Sequence, residues 1–177
     1  MKKIALLPIL LLLAACGSMK KGPMAMAMLT PISGSTATGT VHFQELADGS
    51  VDVVADLTKV PQGVHGFHIH DKGDCSDNGN AAGGHFNPTN MPHASPDAQS
   101  HHVGDFGNVT ADANGEIHTK FNTRWITVHE GETSVVNHAV ILHANPDDLA
   151  TQPSGNAGPR IACGVATLGN MAGMNHE

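Results

Sequence analysis

The chain has 177 residues, enough for one domain with short extensions and a sizeable hydrophobic core. Its 16 acidic residues outnumber the nine basic ones, giving a formal charge of −7, which argues against a nucleic-acid partner. Aromatic residues make up only 3% of the chain, whereas histidine occurs 13 times, and that count is the first compositional indication of a metal site.

Residues 1–15 resemble a secretory signal. Lys2 and Lys3 supply a charged start, and residues 4–13 form an apolar core that is too short to span a bilayer as a mature helix. The run ends Leu-Ala-Ala-Cys-Gly, similar to a bacterial lipobox, in which Cys16 would be acylated and become the mature N-terminus. The alternative is ordinary signal cleavage beside an incidental cysteine. Either reading predicts export to the periplasm or cell envelope, with a mature formal charge of −9.

Residues 16–34 are predicted to be a tether between a lipid anchor and the domain. Gly17 after the cysteine, in place of aspartate, resembles lipoproteins retained at the outer rather than the inner membrane. The segment contains Gly, Ser, Pro and Ala and shows little sign of regular structure. Its run Met-Ala-Met-Ala-Met is either a low-complexity linker or a set of soft ligands for Cu(I). The predicted flexible tail, residues 169–177, also contains methionine and is open to the same two interpretations.

Residues 35–168 are predicted to form about eight short β-strands and no helix. Partial period-two alternation, with Gly and Asn-Gly turns between the segments, indicates the strands. They are predicted at residues 41–46, 51–53, 64–70, 109–112, 116–121, 125–129, 135–143 and 160–168. This pattern favours an all-β antiparallel sandwich or barrel. Two long irregular segments, residues 71–104 and 144–159, interrupt it, and such loops are usually functional.

The stretch VHGFHIHDKGDCSDNGNAAGGHFNP, residues 64–88, contains the first candidate metal ligands. His68 and His70 are two apart on a predicted strand, so their side chains share one face and form half of a preformed site for copper, zinc, iron or nickel. Taken alone, the pair is better explained as two ordinary strand histidines. Further candidates follow in the loops and at a later strand end: His85, His93, His102, Asp105 and His143.

Several motifs together resemble the copper/zinc superoxide dismutases, in their exported bacterial lipoprotein form. They are HGFHIH, GHFNP, HHVGDFGNVTAD, the Leu142-His143 strand end and GNAGPRIACGV. The resemblance covers roughly residues 35–168 and implies an eight-stranded Greek-key β-barrel with one copper and one zinc ion per subunit. The implied reaction is disproportionation of superoxide to dioxygen and hydrogen peroxide, which would protect the cell envelope. Bacterial relatives pair through a face different from the eukaryotic dimer, or not at all, so the chain is either a homodimer or a monomer.

The resemblance also assigns the candidate ligands. The implied copper ligands are His68, His70, His85 and His143. The implied zinc ligands are His85, His93, His102 and Asp105. His85 would serve both ions through its two ring nitrogens. Asp147 matches a carboxylate that links His68 to His93 and fixes the orientation of both imidazoles.

Arg160 and His85 are the catalytic residues that the resemblance implies. Superoxide would alternately reduce and reoxidise the copper, while His85 takes up a proton when the bridge opens and delivers it to the second superoxide. The Arg160 guanidinium stays charged at all working pH values and would hold the anion at the open copper position. Taken alone, one arginine near a strand start is equally explained as a surface charge.

Cys75 and Cys163 would be the only cysteines left after acylation of Cys16, and in an exported domain a disulfide is the default. The resemblance implies the same bond, which would clamp the first long loop to the barrel. The alternative is two free buried thiols. The bond would enclose about 88 residues, for which the chain-entropy model gives an idealised stabilisation of roughly 4–5 kcal/mol.

Lys72 is the predicted source of electrostatic steering. It lies between His70 and Cys75 in an acidic domain whose second long loop contains no lysine. Charges beyond about 8 Å are largely screened at physiological salt, so a local cation can override the net charge. The alternative is a solvated lysine on a mobile loop.

A non-catalytic exported copper/zinc-binding or copper-donor module is the alternative function for the whole chain. Such a module would use the same barrel without turning over superoxide. The ligand histidines, Asp105 and Arg160 are all present in the sequence, and this complete set favours the enzyme.

Overall fold

The protein consists mainly of antiparallel β-strands. The computed structural model describes residues 22–169. The strands are β1 (Met24–Pro31), β2 (Thr38–Glu45), β3 (Val51–Thr58), β4 (Gly63–His70), β5 (Asp105–Ala111), β6 (Ile117–Thr123), β7 (Ala139–His143), β8 (Arg160–Val165) and the two-residue β9 (Thr167–Leu168). One 3₁₀ turn, Asn80–Ala82, is the helical element of this range. Within residues 22–169 there is no helix of the length and apolarity needed to cross a bilayer.

The sheet closes almost completely on itself. Its strand order is β5-β4-β7-β8-β1-β2-β3-β6, with β9 paired to β1. The pairs β4·β7, β8·β1 and β3·β6 are not consecutive in sequence, as a Greek-key arrangement requires. At the remaining gap, Phe106 of β5 packs against Phe121 of β6 with ring centroids 5.2 Å apart. The predicted eight-stranded antiparallel barrel with two long loops is confirmed.

Successive side chains of a strand point to opposite faces of the sheet, and in most strands one of these faces is buried in the core. In β3 the residues Val51, Val53, Ala55 and Leu57 are buried and the intervening residues are not. The strand β4 differs because both of its faces are covered. Phe67 and Ile69 point into the barrel core, while His68 and His70 are buried on the opposite face. This double burial gives the two histidines a rigid, water-excluded support.

The start of the domain lies earlier than the sequence predicted. Met24–Pro31, assigned to the tether, is a full strand that pairs with β2 from Met24↔Gln44 to Leu29↔Gly39. It also pairs with β8 at Thr30↔Cys163, so it is central in the sheet. In β1, inward alanines alternate with outward methionines, and this repetition resembles a low-complexity sequence. The predicted signal peptide, Cys16 and nearly all of the predicted tail lie outside the described residues.

The predicted strand at residues 125–129 is absent. Thr127 makes only an isolated bridge to Ser134. The backbone N–H groups of Val128 and His129 instead donate to the buried Glu45 carboxylate, at 2.8 and 3.0 Å. A side chain therefore satisfies the hydrogen bonds that a neighbouring strand would supply. The predicted count of eight matches β1–β8 because this error and the missed β1 cancel, and the structure adds the two-residue β9.

Candidate metal centre

Two groups of buried side chains lie between β4, the end of β7 and the first long loop. One group is His68, His70, His85 and His143. The other is His85, His93, His102 and Asp105. Within each group the potential ligand atoms all lie within 4.8 Å of one another, and His85 belongs to both. These are the same two sets that the family resemblance implied.

Two irregularities in strand pairing lie next to the histidines of the first group. The β4–β5 register shifts between Gly66 and His68, and the β7–β8 register shifts between Leu142 and His143. Such bulges reorient side chains and are frequent beside functional sites. Gly66 also leaves room for His68, because a Cβ at that position would lie 2.7 Å from Ala157 and 3.1 Å from the His68 ring.

Hydrogen bonds to backbone carbonyls orient two imidazoles of the first group. His70 Nδ1 donates to the Gly83 carbonyl at 2.9 Å, and His143 Nδ1 donates to the Gly158 carbonyl at 3.0 Å. Their Nε2 atoms consequently face each other across 3.3 Å. His68 Nδ1 and His85 Nε2 are buried without a hydrogen-bond partner. Buried polar atoms are almost always satisfied, so these converging nitrogens fit a copper ion.

The Asp105 carboxylate lies at the centre of the second group. Its Oδ1 is 2.7 Å from His85 Nδ1, 3.0 Å from His93 Nδ1 and 3.3 Å from His102 Nδ1. Its Oδ2 accepts the backbone N–H groups of His102 and Ala94, which fixes the carboxylate. Three imidazole nitrogens and one carboxylate oxygen are a donor set that zinc accepts in a closed tetrahedral site.

Burial sets the protonation of both groups. Desolvation lowers the pKa values of His68 and His70 well below the usual range, and the neighbouring His85 adds to the effect. Desolvation likewise lowers the pKa of His143 to about 4. Burial opposes ionisation of Asp105, but its hydrogen bond to His85 and the nearby imidazoles outweigh that and lower its pKa. At neutral pH the imidazoles of His68, His70 and His143 are therefore neutral and Asp105 is a carboxylate, the forms that bind metal.

Asp147 joins the two groups from the second long loop. Its Oδ2 lies 2.8 Å from His68 Nε2 and its Oδ1 lies 3.0 Å from His93 Nε2. Asn108 holds the Asp147 backbone from both sides, donating to its carbonyl at 2.9 Å and accepting its N–H at 2.7 Å. A Cβ at Gly155 would overlap the Asp147 carboxylate. Sequence reasoning identified Asp147 but neither Asn108 nor Gly155, since neither residue type signals such a role.

Arg160 borders a cavity of about 470 Å³ that reaches His70, His85 and His143. Its guanidinium donates to the carbonyls of Gly79 and Gly83, the latter from Nη2 at 2.6 Å. The Gly83 carbonyl thus accepts hydrogen bonds from both Arg160 and His70.

A disulfide joins the first long loop to the barrel. It connects Cys75 of the loop with Cys163 of β8, as predicted, with 5.8 Å between the Cα atoms. The same loop supplies the Gly79 and Gly83 carbonyls that hold Arg160. The bond therefore helps to fix the wall of the cavity that Arg160 borders.

Other predicted residues lie away from the converging atoms. Lys72 is exposed and is not among the residues that line the cavity. His101 packs against Trp125, with ring centroids 4.8 Å apart, and belongs to neither ligand group. His65 is buried, with Nδ1 2.8 Å from the His143 carbonyl and Nε2 2.7 Å from the Pro61 carbonyl, so it supports the barrel beside the site.

The fold and site define a β-barrel protein with a copper-type and a zinc-type ligand group that share one histidine. The chain belongs to the copper/zinc superoxide dismutase family, whose model matches residues 37–166. Among solved structures, the chain is similar to the clock protein EA4, with a TM-score of 0.74 and 38% sequence identity. That match covers 82% of this chain and 94% of the EA4 chain.

Proposed function

We propose that the protein disproportionates superoxide to dioxygen and hydrogen peroxide at a copper ion bridged through His85 to a zinc ion. One observation carries the proposal: unpartnered ring nitrogens converge at one end of a small cavity whose wall contains a fixed arginine. Copper would supply one-electron oxidation and reduction, and zinc would hold the loop ligands in place.

Arg160 binds and orients the substrate anion in this proposal. Two loop carbonyls hold the guanidinium, and its remaining N–H groups are available to an anion in the cavity. Burial lowers the pKa of Arg160 from its usual value, but the group stays charged at neutral pH. The cation offsets the negative charge of Asp105 and Asp147 next to the site.

His85 moves the proton. Its Nδ1 faces Asp105 Oδ1 at 2.7 Å, so the ring is held from one side. The Nε2 atom faces the first ligand group and has no protein partner. This nitrogen would hold a proton only while it is not bound to copper, and it could then pass that proton to an anion in the cavity. Proton delivery and anion binding then occur in one cavity.

Superoxide consumption by the purified, metal-loaded chain tests the proposal, with copper and zinc measured in the same sample. Arg160→Gln should slow turnover about tenfold or more and keep both metals, because the anion loses its charged partner. Arg124→Gln is the matched control, since Arg124 is exposed and pairs with Asp48 on the surface. An inactive wild-type chain that holds both metals would refute the function.

A non-catalytic role is the second candidate function. The solved structure of EA4, 38% identical to this chain, is described as that of a clock protein. A barrel of this kind could therefore bind copper and zinc for a purpose other than turnover. The same measurement separates the two candidates, because a metal-binding module would hold both ions and leave superoxide unconsumed.

The proposed location is the periplasm or cell envelope, with a lipid on Cys16 that retains the protein at the outer rather than the inner membrane. The lipobox-like run and the acidic mature chain support this. Cys16→Ser should release an active soluble form, measured as activity in the membrane and soluble fractions. Membrane retention of that variant would contradict the anchor. Whether the protein is a monomer or a homodimer is answered by its mass in solution.

A further inference from the structure

A row of methionines lies on the outer face of β1. Alternate positions of this strand, two alanines and a leucine, are fully buried in the core. The outward side chains are those of Met24, Met26 and Met28. Met28 is 63% exposed. Met24 and Met26 are half-buried, so packing accounts for part of their apolar surface, but packing alone does not require a sulfur atom at all three outward positions. A thioether sulfur, by contrast, is a ligand for soft metals.

A nitrogen donor lies directly across the sheet from the middle of this row. His42 of β2 is the register partner of Met26. The Cβ atoms of such cross-strand pairs are about 4.5–5.5 Å apart. Met24 and Met28 flank Met26 on the same face, each roughly 7 Å along the strand. Since methionine has three rotatable side-chain bonds, its sulfur can reach a point shared with His42.

The end of the described chain reaches the same place. The strand β9 pairs with β1 at Ala25↔Leu168 and Met26↔Thr167. The N–H of Gly169 then donates to the Met24 carbonyl at 2.7 Å. The sequence continues Asn-Met-Ala-Gly-Met-Asn-His-Glu, with two more methionines and a histidine. Methionine and histidine side chains therefore follow in sequence soon after Gly169, which is hydrogen-bonded to Met24. The inference does not depend on these later residues.

We propose that this face of the sheet is a binding site for a soft monovalent cation, Cu(I), with Met26 and His42 as ligands and Met24 or Met28 completing the set. Neutral thioether and imidazole donors select Cu(I) over hard dications. The register neighbours on β2, Gln44 and Thr40, are uncharged. One strand further, on β3, the carboxylates of Asp52 and Asp56 already pair with Lys120 and His118. The site shares no residue with the metal centre, so the inference does not rest on the proposed enzymatic function.

Silver(I), a redox-inert cation of similar softness, is the probe. The mature full-length chain, with copper and zinc already bound at the centre, is titrated with Ag(I) while the methyl resonances of ¹³C-methyl-labelled methionine are followed. We expect about one equivalent to bind and to shift the resonances of the three β1 methionines. Met91, which is 43% exposed in the first long loop, is the internal control and should not shift. Unchanged β1 resonances would overturn the proposal.

The matched variants keep the apolar surface and remove only sulfur. A chain with Met24, Met26 and Met28 all changed to Leu should bind Ag(I) at least about tenfold more weakly, whereas Met91→Leu should bind as the wild type does. Copper and zinc content and the thermal midpoint confirm that the centre and fold are intact. Unchanged Ag(I) affinity in the triple variant would overturn the site. So would loss of binding in a chain ending at Gly169, because the ligands would then lie in the tail.

Discussion

Gly155 shows how a single backbone position controls both ligand groups. It has a φ of +65°, and a side chain there would occupy the position of the Asp147 carboxylate and crowd His93. Asp147 in turn contacts His68 and His93, one from each group. The absence of a Cβ is therefore what allows one carboxylate to orient two imidazoles.

Gly155→Ala should consequently weaken metal binding at both groups. Changes in such supporting contacts typically cost about 10–100-fold in metal affinity. Competition with a chelator, measured separately for copper and zinc, would show it. Gly131→Ala is the matched control, because its nearest neighbour would be Thr127 at 3.8 Å. Equal affinities in the two variants would contradict the role of Gly155.

The lowered pKa of His143 predicts that the folding stability of the metal-free protein depends on pH. Burial lowers the pKa of His143 to about 4 in the folded state, against 6.5 as its ordinary value. Between these values the unfolded chain binds more protons, so folding stability is full above pH 6.5 and falls as the pH is lowered toward 4. The loss is roughly 3 kcal/mol for this one group. His68 and His70 act in the same direction.

Denaturant unfolding of the metal-free protein from pH 7 to pH 4 would measure this slope. His143→Asn removes the titrating group and retains a side-chain N–H donor. Its stability should fall less steeply with decreasing pH than that of the wild type, by up to about 1.4 kcal/mol per pH unit. Parallel curves for the two proteins would show that His143 does not titrate in this way.

The ligands themselves could be predicted from the sequence, because motifs such as HGFHIH and HVGD together resemble those of one metal-binding family, although His68 and His70 alone do not identify a metal site. Their orienting partners could not be predicted. The acceptors for His70 and His143 are the carbonyls of Gly83 and Gly158, and every residue has a carbonyl. Only the folded loop determines which carbonyl faces which ring.

At the scale of elements, the ligand groups differ in what supports them. His68, His70 and His143 lie on β4 and β7, which are central strands of the barrel. His93 and His102 belong to the first long loop, whose order depends on contacts such as those between His93 and Gln152 at 2.9 and 2.7 Å. Strands stay folded without metal, whereas a loop of this length needs its ligands and the disulfide.

We therefore expect opposite consequences from two alanine substitutions. His143→Ala should lose copper and activity while it keeps zinc and most of its thermal stability. His93→Ala should lose zinc and melt lower, by about 2–4 °C for each kcal/mol of stability lost. Metal analysis and thermal melts distinguish them, with His101→Ala as a control that keeps both metals. Similar effects of the first two changes would refute the division of roles.

The two errors in strand prediction, the missed β1 and the absent strand at residues 125–129, both arise from contacts that are distant in sequence. The strand β1 was missed because alanine, its main inward residue, is a weak strand former, and packing rather than propensity holds it. Residues 125–129 have a strand-like composition, yet the Glu45 carboxylate takes the N–H groups of Val128 and His129. Whether each segment forms a strand depends on residues distant in sequence, and a local sequence pattern carries no information about them.

The whole molecule carries a charge that opposes its proposed substrate. Within residues 22–169, Lys120 pairs with Asp52 and Arg124 with Asp48, which leaves Lys59, Lys72 and Arg160 outside those two ion pairs. Lys72 is exposed on the first long loop, close in sequence to His70, and its N–H donates to the Ala82 carbonyl at 2.9 Å. A cation on an ordered loop, two residues after His70, is suited to attract an anion.

Lys72→Glu should lower the second-order rate with superoxide several-fold at low salt, with both metals retained. The difference should shrink as ionic strength rises, because charges are screened over about 8 Å at physiological salt. Lys59→Glu makes the same change of charge before the start of β4, at the opposite end of the strand from His70. It should have little effect. Equal rates for Lys72→Glu and the wild type at low salt would exclude Lys72 from steering.

If Cys16 is acylated as proposed, the inclusion of residues 22–31 in the barrel would also limit the distance between the protein and the membrane. The N–H of Gly22 already donates to the Glu45 carbonyl at 2.9 Å, so at most about six residues, 16–21, would separate the lipid from the barrel. Fully extended, six residues span at most about 22 Å, whereas the leash of residues 16–34 expected from sequence could span about 65 Å. An anchored barrel would thus work within roughly its own diameter of the lipid surface. The anchored protein would consume superoxide only in a thin layer next to the membrane. Superoxide formed deeper in the compartment would have to diffuse to that layer.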